Sequence, residues 1–455
     1  MGTIRPHAAV ALPYNGTQDF TLNIPMNWLN AIQLRLTRFG ATDGTTDPIQ
    51  DSPAQARMAR TYFYERLRAF PAGILESCGS AFFLLIAVQQ LQAGPTAKAL
   101  IAAGGNIGML LSPWLVLLAQ RGKRPSMQTG ALLMGFGSLV LGSAALLPDL
   151  SLYVFATVVA MACTNAIIPL TTQVYQDNYP ARKRGRLVSR SVMFRVLASS
   201  LFGWLAGRLL TVDPGLYRLI IGVAALSMAT IGVFLWHIPS RIIASEGENA
   251  NSPLHVFHSM RFLRTDKLLR TTLASWMFMG FANLMMVPLR VEYLANPRYG
   301  IALPPDQIAL LTIIIPSLTR LLLSPFFGWL FDRLNFFAIR VALNVAFAVS
   351  ILAFFTGTSM FGLVIGALIF GFAVAGGDIL WSLWVTKFAP PDRVADYMSV
   401  HTFFTGIRGV LAPLFAFQLV TQVPVATMGL ICAVLIGLAS LILVPEIRAG
   451  ATVRD

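Results

Sequence analysis

Charge is sparse in this chain. Only 12% of its 455 residues are charged, against 56% hydrophobic, whereas soluble domains carry about a quarter charged residues. Cysteine is scarce as well. Cys78, Cys163 and Cys432 all fall inside apolar blocks, which suits packing and gives no disulfide framework. No Cys-x-x-Cys or His-x-x-x-His spacing offers a metal site. No Gly-x-x-x-x-Gly-Lys-Ser/Thr loop is present, which excludes that route to ATP drive. Nor is there a serine-nucleophile motif, so neither an enzyme nor a bound cofactor is expected. Residues 1–60 lack a basic start followed by an apolar run, and Pro6 stands where a myristoylation signal wants Ser or Thr. Neither a cleavable leader nor a lipid anchor is expected.

What the chain does have is apolar blocks of about 20 residues, recurring along most of its length, which is the signature of an all-α integral membrane protein. Twelve spans are predicted, at 69–91, 97–119, 127–148, 151–176, 187–209, 215–237, 269–289, 306–331, 336–357, 359–386, 394–420 and 424–445. Turn residues separate them, among them Gly94-Pro95, Asp213-Pro214-Gly215 and Pro390-Pro391. The expected organisation is a tail over 1–60, a six-helix half over 61–237, a linker over 238–268, a second half over 269–446 and a short tail over 447–455. Within the first tail, Trp28, Leu29, Ile32, Leu36 and Phe39 recur at helical spacing, as in a helix lying in the membrane surface. Pro253–Leu263 is a second such candidate.

The net charge of +14 would suggest nucleic acid in a soluble protein. Here the basic residues sort by side instead. Lys98, Arg208, Arg218, Arg290 and Arg298 fall on one side, Arg195, Arg320 and Arg408 fall within spans, and all the others fall on the opposite side. The positive-inside rule then places both termini in the cytoplasm, in an inner or plasma membrane. The lipid bilayer is the expected large partner, and nucleic acid is not expected.

The two halves carry copies of each other. Met109–Arg121 and Leu321–Arg333 align without a gap at an offset of 212, each running Leu-Leu-Ser-Pro into apolar residues, then a polar residue and Arg. Tyr179–Leu201 matches Ala389–Leu411 at an offset of 210 through Pro180, Ser189, Phe194 and Leu201. A six-plus-six repeat is a recurrent transporter design.

On these motifs the chain resembles the major facilitator superfamily over residues 60–446. The family's turn after the second and eighth spans runs Gly-x-x-x-Asp-Arg-x-Gly-x-basic-basic. The second half matches it through Gly328, Asp332 and Arg333, with Asn335 in place of the later Gly and only Arg340 as a distant basic residue. The first half has Val116, Gln120 and Arg121, lacking both Gly and Asp. The resemblance implies two pseudo-symmetric six-helix halves and a cytoplasmic gate at these turns. The family's fifth-span Gly-Pro motif is absent, since Gly203 and Gly207 occur without Pro.

Ionisable residues at bilayer depth are costly and mark function by default. Glu76 lies ~12 Å beyond Arg68, Arg195 ~14 Å beyond Arg186, Asp378 ~14 Å before Lys387, Arg320 ~18 Å before Asp332 and Arg408 ~21 Å into its span, at ~1.5 Å per residue. All fall near mid-membrane and predict one shared polar cavity, in which Asp378 and Arg408 meet with Arg320 nearby. Asn283 is the repeat counterpart of Glu76, as Gly280 is of Gly73 and Ala198 of Arg408. His401 and Trp381 are further candidates for substrate or coupling roles, weighed against plain packing. Asn165, Gln173 and Tyr175 are weaker ones. Arg195 could instead snorkel to the surface.

The expectation is a secondary transporter of a small polar organic solute, coupled to a proton or sodium. Three buried arginines against two acids tilt that solute toward an anion. The alternative is a receptor or accessory protein on the same fold that no longer transports.

Overall fold

The computed structural model describes residues 53–242, 260–389 and 394–448. The predicted surface helix in Pro25–Gly40 lies outside these, as does most of Pro253–Leu263, of which only a short helix at Phe262–Thr265 is described.

Twelve helices are long and apolar enough to cross a membrane. They are α1 (Pro53–Gln89), α2 (Pro95–Arg121), α3 (Ser126–Leu146), α4 (Leu150–Asn178), α5 (Ala181–Val212), α6 (Tyr217–His237), α7 (Lys267–Ala295), α8 (Pro305–Phe331), α9 (Phe336–Phe355), α10 (Met360–Phe388), α11 (Val394–Leu419) and α12 (Val425–Arg448). Their starts carry the chemistry that stops a helix from fraying. Asp149, Asp266, Asn335 and Ser359 each accept hydrogen bonds from backbone N–H groups of the first turn, and Pro95 opens α2.

The helix bounds differ from the predicted spans chiefly at α1, which begins at Pro53 rather than near residue 69. At 37 residues it is about 55 Å long at ~1.5 Å per residue, well beyond a ~30 Å hydrocarbon core. Its N-terminal part packs on the end of α4, with Thr61 and Glu65 buried. There Glu65 takes a salt bridge from Arg68 at 2.8 Å and a hydrogen bond from the Tyr175 hydroxyl at 2.6 Å, so Tyr175 belongs to this end of the bundle and not to a central cavity. Gln173 donates to Asp177 at 2.9 Å, and Asn165 donates to the Gly105 carbonyl at 3.0 Å.

Two helices depart from α geometry where they pass the site. Cys78–Phe82 of α1 and Leu310–Ile314 of α8 are π-helical, and the two stretches touch. Such bulges shift the helix face and are frequent beside functional residues. One begins two residues after Glu76.

Within each half, α1 packs on α5 and α7 packs on α11, and glycine sets both contacts. A Cβ on Gly73 would collide with the Arg195 carbonyl and stand 2.8 Å from the Ala198 Cβ; one on Gly280 would collide with the Arg408 guanidinium. Gly73 and Gly280 are repeat counterparts, as are Ala198 and Arg408, so the alignment places both partners of both contacts. The halves meet through α2 with α11 and α5 with α8. Gly406 and Gly409 let α11 approach Leu110 and Asn106 of α2. Gly203 and Gly207, which lack the proline of the antiporter motif, abut Ile313 and Asp306 of α8.

Candidate functional site

Four helices, two from each half, bring charges together at mid-depth. Arg195 Nε of α5 lies 2.8 Å from Glu76 Oε2 of α1. The other oxygen, Oε1, lies 3.6 Å from Arg320 Nη1 of α8. Arg320 Nη2 in turn lies 2.6 Å from Asp378 Oδ2 of α10. The result is a row of alternating charges, Arg195–Glu76–Arg320–Asp378, that crosses from the first half to the second at the Glu76–Arg320 contact. That crossing is also its longest link.

The row is balanced, with two guanidiniums and two carboxylates. Each neutralises a neighbour that would otherwise cost roughly 2.5–3.5 kcal/mol at bilayer depth on insertion scales. All four side chains keep substantial exposure, from 24% for Arg320 to 48% for Asp378. They therefore line open space between the helices. Arg195 turns inward to Glu76 and does not snorkel.

Glu76, Arg195, Arg320 and Asp378 come together, but the expected membership needs one correction. Arg408 does not meet Asp378 there. Its guanidinium packs on Gly280 and donates to the Trp276 carbonyl, inside the second half. Around it lie His401, whose ring is 5.3 Å from Trp276, 5.5 Å from Trp381 and 5.2 Å from Trp384, and Arg340, 3.6 Å over the Trp276 ring. Helix rotation, which depth alone cannot give, turns Arg408 away from the interface. The surplus positive charge expected beside Asp378 therefore sits elsewhere. Arg340 is likewise no stand-in for the turn's missing basic pair, because it is buried. Asn283 Oδ1 is buried with no described hydrogen-bond partner.

The turns at the ends of α2 and α8 are unequal. Arg333 is exposed, with its guanidinium 4.7 Å from the Trp329 ring. A Cβ on Gly328 would meet nothing within 4 Å. The Asp332 side chain lies outside the described residues. Arg121 is exposed and Gln120 half-buried.

At the end of the bundle away from these turns, the halves are tied together by residues that no sequence motif marks. Lys98 Nζ of α2 meets Glu292 Oε1 of α7 at 2.7 Å, almost fully buried, and Asn296 also donates to Glu292. Arg208 of α5 pairs with Asp306 of α8 at 3.1 Å, and Gln418 of α11 donates to Thr96 of α2 at 3.1 Å. Sequence hints little at this seal: Lys98 is a lone charge at the start of α2, while Glu292 follows Arg290 by two residues near the end of α7.

The model of the Major Facilitator Superfamily matches residues 69–302, just over half of the chain. The chain belongs to that superfamily. It is a transporter by family, not an enzyme. Solved structures of the superfamily share its fold. The nucleoside transporter NupG superposes with a TM-score of 0.65 at 13% identity, covering 84% of this chain and 98% of that one. A D-xylose–proton symporter gives 0.66 at 14% identity, covering 84% and 97%. A peptide transporter, POT, in complex with sulfate, gives 0.65 at 14% identity, covering 87% and 99%. No characterised protein matches the chain significantly by sequence. The superfamily's half-to-half interface is where the Arg195–Glu76–Arg320–Asp378 row lies.

Proposed function

We propose that this chain is a proton-coupled secondary transporter of a small, polar, anionic organic solute, working by alternating access. The observation that carries the reading is the charge row across the two halves. With both carboxylates ionised the row is self-satisfied, and an incoming anion would meet no free guanidinium. A proton on Glu76 removes one negative charge and loosens both Arg195 and Arg320. One guanidinium then becomes available to a carboxylate or phosphate group, whose geometry it fits. Proton and anion thus enter together and the site stays neutral, which favours a proton over sodium as the coupling ion. The halves part most readily at the 3.6 Å Glu76–Arg320 contact. Helices rocking about a midplane site at the repeat interface are the mechanism this geometry serves. The superfamily neighbour titled a D-xylose–proton symporter has the same type of coupling.

The turn end of the bundle, which carries most of the basic residues, faces the cytoplasm on the positive-inside rule. The far-end seal then makes the described conformation inward-facing.

The test is a thermal-shift screen of the purified protein against small carboxylates, phosphates, zwitterions and neutral sugars, followed by flux of each hit into vesicles. The reading expects anionic hits whose influx acidifies the lumen; alkalinisation with influx would overturn the co-entry of proton and anion. Neutral hits alone would overturn the anion, and flux without proton movement would overturn the coupling. Binding without flux would favour the receptor alternative, which the degenerate turn at Val116 and Gln120 supports.

A further inference from the structure

The second half holds a cluster of positive charge that the charge row does not use. Arg340 of α9, Arg408 and His401 of α11, Trp276 of α7 and Trp384 of α10 form one nest, and none of the five is more than 5% exposed. Arg340 lies 3.6 Å over the Trp276 ring and Arg408 donates to the Trp276 carbonyl, so both guanidiniums crowd one residue. Among the described residues no carboxylate pairs with either. A guanidinium cannot shed its proton in a protein, so both charges persist. Uncompensated buried charge is strongly unfavourable.

The hydrogen-bonding groups tell the same story. All three guanidinium nitrogens of Arg340, Nε of Arg408, the indole N–H of Trp276 and of Trp384, and both ring nitrogens of His401 are buried without a described partner. All of these except one His401 nitrogen are donors. Buried donors in such number are unusual unless something accepts from them. Water could accept, but it brings no charge. The missing component is an acceptor that carries negative charge and reaches several helices at once.

We propose that this nest is a binding site for a small inorganic anion of halide size, chloride in the cell, held between Arg340, Arg408 and His401. The near-complete burial of all five side chains leaves no opening for an organic solute. The anion acts as a fixed counter-ion that ties α7, α9, α10 and α11 together. It is not carried with the solute. The inference stands apart from the proton-coupled reading, since it shares no residue with the charge row.

The test uses the purified full-length protein in sodium gluconate, exchanged into sodium chloride or bromide at constant ionic strength. The expected result is a saturable rise of several degrees in the unfolding midpoint with either halide. Bromide should also quench part of the tryptophan fluorescence saturably, because Trp276 and Trp384 line the site. Arg340→Gln and Arg408→Gln should each lose both effects, while Glu76→Gln keeps them. No difference between gluconate and halide, or quenching that rises linearly as in random collision, overturns the proposal. So does a shift produced by formate or acetate but not by halide. If the arginine variants do not fold, a bromide anomalous peak between Arg340 and Arg408 in crystals of the unaltered protein supports the site, and its absence overturns it.

Discussion

Arg320 is the residue on which the site turns. Its two terminal nitrogens face two different carboxylates, Glu76 of the first half at 3.6 Å and Asp378 of the second at 2.6 Å. A planar guanidinium can span both, whereas a lysine ammonium is a single point of charge. Arg320→Lys is therefore expected to keep the fold and lower solute affinity at least about tenfold, or ~1.4 kcal/mol, measured by ligand titration of the thermal midpoint. Unchanged affinity would remove Arg320 from the binding machinery. At this scale the sequence was half legible. Depth along each helix picked out Glu76, Arg195, Arg320 and Asp378, because an ionisable group near the middle of an apolar span needs a partner there. It could not separate Arg408 from them, because depth says nothing of helix rotation. Arg340 was invisible as a buried group, since a charge five residues into a helix reads as a charge at its end.

Among the elements, close approach of α1 to α5 is what places Glu76 beside Arg195, and Gly73 is what permits it. A Cβ there would meet the backbone of α5 at the Arg195 carbonyl and at Ser199 N, 2.8 Å away, and a backbone cannot rotate aside as a side chain can. Gly73→Ala is expected to destabilise the protein by about 1–3 kcal/mol, the usual range for overpacking, seen as a lower unfolding midpoint in detergent. A neutral effect would show that α1 and α5 are loosely packed. The twelve helices themselves were legible, because length and hydropathy decide a span. The early start of α1 was not, since its first turns carry charges that read as tail. The π-helical turns at Cys78–Phe82 and Leu310–Ile314 left no trace in composition either, because they answer to packing between the halves.

For the whole molecule, the contacts at the far end tie the two halves together. Lys98 and Glu292 form a buried pair at 2.7 Å. Removing one partner strands the other, at a cost of about 3–5 kcal/mol, whereas replacing both is often neutral. Glu292→Gln is thus expected to destabilise the protein more than Lys98→Met with Glu292→Leu together, by thermal unfolding. The double variant should also speed labelling of a cysteine placed at Thr96 or Gln418 by an impermeant maleimide. Equal stability of single and double variants would mean the two charges do not depend on each other. Sidedness has its own check: a reporter fused after Arg184 should read cytoplasmic and one at Arg298 external, and a cytoplasmic signal at Arg298 would invert the assignment. The repeat made the two halves legible at this scale. The seal was not, because an ion pair between residues 194 apart in sequence leaves no local pattern.

If Glu76 carries the coupling proton, replacing it should uncouple solute uptake from the proton gradient. Protein with Glu76→Gln and unaltered protein are reconstituted into matched vesicles and given the anionic solute retained from the screen. Each is then assayed twice, for uptake driven by an inward proton gradient and for exchange of labelled against unlabelled solute with no gradient. A glutamine mimics the protonated carboxyl permanently, so gradient-driven uptake is expected to fall at least about tenfold, ~1.4 kcal/mol in the coupled step, while exchange persists. Gradient-driven uptake that survives the substitution intact would contradict that coupling role and leave Glu76 a structural member of the charge row.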